Sequence, residues 1–167
     1  PNERRCGVVR PLDPKQTVYL SVFNEESQEN GFGRVNLARP SKTLEYFTDT
    51  VTYKYVAGAA GTDRIFYQKG NFRECYDLYF TDNFFKTSTK VSAINPQMAG
   101  YRWGSAELFR WKAYDGTPLK GIVYMPDGVK EGEKLPVMIY FYEKNANNLY
   151  TFWSPAPSRS IVNIPFY

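Results

Sequence analysis

Aromatic side chains decide most of what this chain can become. The 167 residues include 3 Trp, 14 Tyr and 12 Phe, 17% of the total, and these recur at alternate positions in short runs. Rings and β-branched side chains pack well on a pleated, half-buried surface. A mainly β protein is therefore expected. With 43% hydrophobic and 23% charged residues the composition is that of a folded chain, not a disordered or low-complexity one. The length suits one domain, or one small domain joined to part of another.

The runs can be followed in order. Thr17 to Asn24 sets Val18, Leu20 and Val22 against Tyr19, Ser21 and Phe23, the period-2 pattern of a strand partly covered on both faces. The turn-rich Glu25 to Gly31 follows, and Phe32 to Leu37 reads as the returning strand. Val51 to Val56 alternates Val51, Tyr53 and Tyr55 with Thr52 and Lys54, and stops at the loop Gly58-Ala59-Ala60-Gly61. A second hairpin runs from Arg64 to Lys69 and from Glu74 to Thr81, with Gly70-Asn71 near its turn and Tyr76, Leu78 and Phe80 on one face. Val18-Tyr19-Leu20 precedes Ile65-Phe66-Tyr67 by about 47 residues, and Arg34-Val35-Asn36-Leu37 precedes Tyr76-Asp77-Leu78-Tyr79 by about 42, close to one propeller blade. An ordinary β meander gives the same pattern.

After Asn95-Pro96 the character changes, and a boundary is placed near residue 100. Ala106 to Ala113 alternates Phe109, Trp111 and Ala113 with Leu108, Arg110 and Lys112. Asp115-Gly116 is a hairpin-turn dipeptide, and Leu119 to Met125 returns, ending at Pro126-Asp127-Gly128. A charged link, Val129 to Lys134, leads into Leu135-Pro136-Val137-Met138-Ile139-Tyr140-Phe141-Tyr142. That run is apolar on both faces, the pattern of a strand buried in a sheet that helices cover. The fold class expected is thus mainly β: residues 1–100 as about two blades of a partial β-propeller, and residues 101–167 as the first strands of an α/β-hydrolase domain.

The absence of histidine excludes a Ser-His-Asp triad, a Cys-His dyad and any His-ligated zinc or haem within this chain. The net charge of +4 comes from 21 basic and 17 acidic residues that are interspersed, so neither a nucleic-acid partner nor a membrane surface is expected. No run reaches the roughly 18 apolar residues a membrane span needs. Cys6 and Cys75 lack metal-ligand spacing; they read as buried free thiols, with a disulfide or one thiol of each kind as alternatives. The missing initiator Met and the apolar end at Ile164-Pro165-Phe166-Tyr167 suggest a piece of a larger protein.

The segment from Leu108 to Pro126, followed by Gly132-Glu133-Lys134-Leu135-Pro136 and the apolar run to Tyr142, resembles the entry to the hydrolase domain in the prolyl oligopeptidase and dipeptidyl peptidase family of serine peptidases. The tail from Ser154-Pro155-Ala156-Pro157-Ser158-Arg159-Ser160 to Tyr167 resembles a bacterial branch of that family, many of whose members are exported. The resemblance implies a propeller above an α/β-hydrolase domain. It implies a parent enzyme that hydrolyses short peptides through an acyl-enzyme, with its nucleophile on a G-x-S-x-G elbow. This chain contains neither that motif nor a histidine, so the chain alone is expected to be inert. No cofactor and no metal is implied. One position carries over: Tyr142 aligns with a tyrosine whose hydroxyl helps to stabilise the tetrahedral oxyanion. Where the family usually has a Gly-Gly-Pro-like loop, this chain has Glu143-Lys144-Asn145.

Other candidates have plainer explanations. Asp77 with Asp82, and Glu25 with Glu26, could be paired carboxylates, but both pairs fall in or beside expected turns. Glu143 follows the apolar run, where α/β folds place site residues, or lies on an exposed loop. Trp103, Trp111 and Trp153 could stack on a sugar or a nucleobase, or pack between sheets. Ser158 and Ser160 flank Arg159 with no base at hand. A stand-alone aromatic-rich β module that binds carbohydrate or protein is the alternative to the peptidase piece. A piece should associate with itself through unpaired strands; a complete module should stay monomeric.

Overall fold

The computed structural model describes residues 14–15, 17–39, 44–59, 62–159 and 162–166. Within them the chain is mainly β and forms three antiparallel sheets, none of them closed. The first sheet holds β1 (Thr17–Phe23), β2 (Asn30–Asn36) and β3 (Glu45–Asp49) in that order. Asn24 makes the β1–β2 turn, its Oδ1 accepting the amides of Glu26 at 2.9 Å and Ser27 at 3.2 Å. Gly31 lets β3 approach: a Cβ there would sit 1.8 Å from the carbonyl oxygen of Phe47, a contact no other residue tolerates. β3 is not foreseen by the alternation. Its first residue, Glu45, lies directly opposite Arg34, whose Nε and Nη2 reach the two carboxylate oxygens at 2.7 and 3.1 Å.

The second sheet holds β4 (Thr52–Gly58), β5 (Ile65–Gly70), β6 (Asp77–Thr81) and the short β7 (Thr89–Lys90), again in chain order. The β4–β5 register shifts between Tyr55 and Ala57, a bulge that bends and twists the strand. β5 is the interior strand, and Ile65 and Tyr67 on it are each 1% exposed. At its end Asn71 Oδ1 accepts the amides of Arg73 at 2.8 Å and Glu74 at 2.9 Å. This turn occupies residues expected to begin the returning strand, so β6 starts three positions later.

Asp77 corrects a second expectation, because it is buried rather than solvated in a turn. Its Oδ1 accepts the Ser92 hydroxyl at 2.7 Å and the Ile94 amide at 2.8 Å, while Oδ2 pairs with Lys90 Nζ at 2.5 Å. Burial pushes this carboxyl up, but the Lys90 ion pair and the two hydrogen bonds prevail and hold it below the usual carboxylate range.

The two sheets meet in an aromatic core. Phe84 and Phe85, on the β6–β7 loop, have φ of 52° and 63°, a left-handed backbone that costs bulky residues on the order of 1–3 kcal/mol each. The loop is held by Thr81, whose hydroxyl oxygen accepts the Phe85 amide at 3.1 Å and whose hydroxyl donates to the Thr87 carbonyl at 2.8 Å. That backbone sends both rings inward. Phe85 lies 4.9 Å from Phe32 and from Phe47, and 4.8 Å from Tyr67. Phe84 is covered by the Arg34 guanidinium at 4.3 Å, which also pairs with Asp63 at 2.5 Å.

The third sheet is a hairpin, β8 (Ser105–Lys112) with β9 (Pro118–Met125). Gly116, at φ of 85°, makes its turn as the Asp-Gly dipeptide predicts. The apolar run from Leu135 to Tyr142 does not become the buried strand its sequence suggests. It is irregular, and Val137, Ile139 and Phe141 are 83, 82 and 87% exposed. A strand interior to a sheet needs a neighbour on each edge, and none of the described strands pairs with this run. No described helix is long and apolar enough to cross a membrane.

Candidate functional site at the sheet junction

The C-terminal residues grip the second sheet through stacked rings. Trp103, just before β8, lies parallel to Phe152 with centroids 5.5 Å apart and planes 4° from parallel. Phe72, in the β5–β6 turn, packs on Tyr124 of β9 at 5.1 Å, and its carbonyl accepts the Trp103 indole N–H. Tyr76 meets the edge of Phe152 at 6.1 Å, and Thr52 of β4 donates its hydroxyl to the Tyr150 carbonyl at 3.0 Å. Phe72, Leu149 and Phe152 are all buried here. Asp127, in the turn after β9, accepts the Trp103 amide at 3.1 Å and pairs with Arg73 Nη2 at 3.3 Å. The backbone N–H groups of Gly104 and Trp103, with Arg73 and Arg102, hold its carboxyl below the usual range.

A second grip engages the β1–β2 turn. Three successive carbonyls there accept donors from the far end of the chain: Glu25 from Lys120 Nζ, Glu26 from Arg110 Nη2, and Ser27 from the Tyr150 hydroxyl at 3.4 Å. Arg110 and Lys120 are direct cross-strand partners, so the hairpin presents both cations from one face. Sequence spacing gives no sign of this contact. The groups recruited are the backbone carbonyls of Glu25 and Glu26, while these two residues are exposed and form no acid–base site.

The residues singled out from sequence are dispersed. Tyr142 is 77% exposed at the end of the apolar run, and no hydrogen bond reaches it from the described residues. Glu143 is exposed beside it. Asp82 is exposed while Asp77 is buried, so they do not act as a pair. Trp103 belongs to the grip, Trp153 is half-buried, and Trp111 stays exposed. Arg159 is exposed and Ser158 half-buried; Ser160 and Cys6 lie outside the described residues. Cys75 is a half-buried free thiol, its sulfur accepting Asn95 Nδ2 at 3.4 Å.

Among the described residues no group of His, Cys, Asp or Glu could hold a metal ion. A shallow cleft of about 420 Å³ on the second sheet is walled by Ala57, Ala59, Phe66 and Phe80 with Arg64 at its side, and it contains no nucleophile. Two grips fix the hairpin and residues 145–153 to the two β-sheets, and the apolar run lies between these two segments in the chain. No family model, no curated protein and no solved structure matches the chain.

Proposed function

We propose that this chain is the junction of a serine peptidase resembling the prolyl oligopeptidase and dipeptidyl peptidase family, where propeller blades pass into the first strands of an α/β-hydrolase domain. The observation that carries the reading is the order of the elements. A four-stranded antiparallel sheet in chain order, β4 to β7, is followed by a hairpin and then by an apolar run with which no described strand pairs. Four-stranded antiparallel sheets are the unit of a propeller, and a run apolar on both faces is the unit of a helix-covered sheet.

In the parent enzyme the scissile carbonyl is attacked by a serine whose proton passes to a histidine. The resulting acyl-enzyme is then hydrolysed by water. This chain has no histidine, so residues beyond it supply that base, and its own contribution is positional. Tyr142 is the candidate donor to the oxyanion. The grips at Trp103–Phe152 and at Glu25–Ser27 set the angle at which the propeller part covers the site and restricts access to short peptides.

Labelling with a fluorophosphonate tests this reading, applied to the chain alone and to the chain extended by its downstream coding sequence. The extended protein is expected to label and to cleave proline-containing dipeptidyl substrates, while the chain alone does neither. Labelling of the chain alone, or an extended protein that is inert, overturns it. A second reading, a self-contained β module for carbohydrate or protein, has one observation in its favour. Phe109 and Trp111 stack at 5.6 Å on the outer face of the hairpin, and both are exposed.

A further inference from the structure

The sequence holds three dipeptides in which Asn or Asp precedes Gly: Asn30-Gly31, Asp115-Gly116 and Asp127-Gly128. At such a pair the glycine amide nitrogen can attack the side-chain carbonyl carbon, because no Cβ on the second residue obstructs the approach. In an unfolded chain the asparagine pair reacts first, since a carboxamide is a better electrophile than an ionised carboxylate. The fold treats the three pairs differently.

Asn30 and Asp127 are both held away from reaction. Asn30 lies on the central strand of the first sheet, where Gly31 is paired with Val22 of β1 on one side and with Thr48 of β3 on the other. Its carboxamide turns backward, Nδ2 donating to the Gln28 carbonyl at 3.2 Å. Asp127 is drawn toward Trp103 and Arg73: Oδ2 accepts the Trp103 amide at 3.1 Å and pairs with Arg73 Nη2 at 3.3 Å, and Oδ1 meets Arg73 Nη1 at 3.5 Å. Asp115 differs on each count. It is exposed at the tip of the β8–β9 hairpin, and its Oδ1 accepts the Thr117 amide at 2.9 Å, an Asx-turn that folds the carboxyl forward over the Gly116 nitrogen. Open space surrounds Gly116. Its amide is held by one turn bond, to the Ala113 carbonyl at 2.9 Å, and a turn tip opens at far lower free energy than a central strand.

We infer that Asp115 is a site of spontaneous isoaspartate formation, and that folding reverses the order of reactivity, so that Asp115 changes in the folded chain while Asn30 is preserved. The Gly116 nitrogen bonds to Asp115 Cγ, the amide proton and the hydroxyl of the protonated carboxyl leave as water, and a succinimide closes. Water then adds to either imide carbonyl. Breaking the bond from nitrogen to Cγ restores aspartate. Breaking the bond from nitrogen to the backbone carbonyl carbon leaves the chain running through the side-chain carboxyl, as isoaspartate with a free α-carboxyl. The net change is an isomerisation that needs no oxidant and no cofactor. The methylene it adds to the backbone lengthens the turn, so the strand pair nearest to it, Lys112 with Pro118, is loosened first. The site belongs to this hairpin whatever enzyme the chain comes from.

Peptide mapping after incubation at neutral pH, on the folded chain and on the same chain in urea, tests the inference. Isoaspartate is located by fragment ions and by enzymatic methylation of its free α-carboxyl, and deamidation of Asn30 is read as a gain in mass. In the folded chain isoaspartate is expected at residue 115, at least about tenfold faster than at residue 127 and at least about tenfold faster than any change at Asn30. In urea Asn30 is expected to lead. Asp115→Glu, which would have to close a larger ring, should end methyl acceptance at the turn with unchanged far-UV circular dichroism. A folded chain that forms no isoaspartate at residue 115 overturns the inference, as does isoaspartate equally abundant at residue 127, or an Asn30 that deamidates as fast folded as in urea. If the fold does not last through the incubation, hydrogen exchange on fresh protein decides: the Gly116 amide must exchange well before that of Gly31, and equal exchange rules the ordering out.

Discussion

The ring of Phe85 lies 4.9 Å from that of Phe32 and 15° from parallel, and this stack joins two sheets that share no strand. Phe32 is on β2, while Phe85 hangs from the loop between β6 and β7. The loop reaches across because its backbone adopts a left-handed conformation at two consecutive phenylalanines. The strain is offset by the burial of Phe84 and by the ring contacts of the half-buried Phe85. Removing the Phe85 ring leaves the backbone penalty and forfeits the contact. Phe85→Ala is expected to cost about 3 kcal/mol, read as a lower denaturant midpoint with both sheets loosened together. A change under half of that would mean the sheets are held by other contacts.

Acid should weaken the second sheet through Asp77. Its carboxyl sits below the ordinary range when folded, so the stability it contributes is fully present above the usual value of 3.8. That stability is lost as the pH falls below 3.8 toward the depressed folded value. Asp63 behaves in the same way because it bonds the Arg34 guanidinium. Asp77→Asn should be less stable than the parent at neutral pH by about 2 kcal/mol, with the difference shrinking in acid. Urea titrations at several pH values measure this.

Alkali acts on the tyrosines in the opposite direction. Burial pushes Tyr124 up to about 12, and burial with its hydrogen bond to Asp63 pushes Tyr19 to about 12. A raised tyrosine favours the neutral form when folded. Its stabilisation is therefore present below the ordinary value of 10 and is lost as the pH rises from 10 through 12. Tyrosinate absorbance from Tyr19 and Tyr124 should therefore appear late in an alkaline titration, together with loss of β circular dichroism. Tyr124→Phe should delay that loss.

The grip at Trp103 predicts where the C-terminal part comes loose. Phe152→Ala removes the ring stacked at 5.5 Å and should cost about 3 kcal/mol. It should also red-shift Trp emission and expose residues 143–153 to limited proteolysis while β1 to β3 stay protected. Simultaneous cleavage throughout the chain would show that the grip is not a separate unit.

Much of this architecture is legible in the residues. β1, β2, β4, β5, β6, β8 and β9 follow from period-2 alternation and from turn dipeptides, because half-buried strands must alternate. β3 and β7 are hidden for a physical reason. The Glu45–Asp49 strand has only two large apolar residues, and Thr89–Lys90 has none, so each depends on a partner strand and an ion pair rather than on its own pattern. The run from Leu135 to Tyr142 has the pattern without the neighbours, and pattern alone does not make a strand. Asp77 looks like a turn residue until Lys90, Ser92 and Ile94 are folded around it. Of the candidate site, Tyr142 comes from family resemblance alone, and the grips formed by Arg110, Lys120, Tyr150 and Phe152 join residues too distant in sequence for spacing to reveal.

The most direct measurement is to read the coding sequence beyond the codon for Tyr167. The account predicts an open frame that encodes neighbouring strands for Val137 to Tyr142, then a G-x-S-x-G elbow, then an aspartate and a histidine. A stop codon at that point, or an open frame without that motif, would contradict it and leave the exposed Phe109 and Trp111 as the surface on which to seek a ligand.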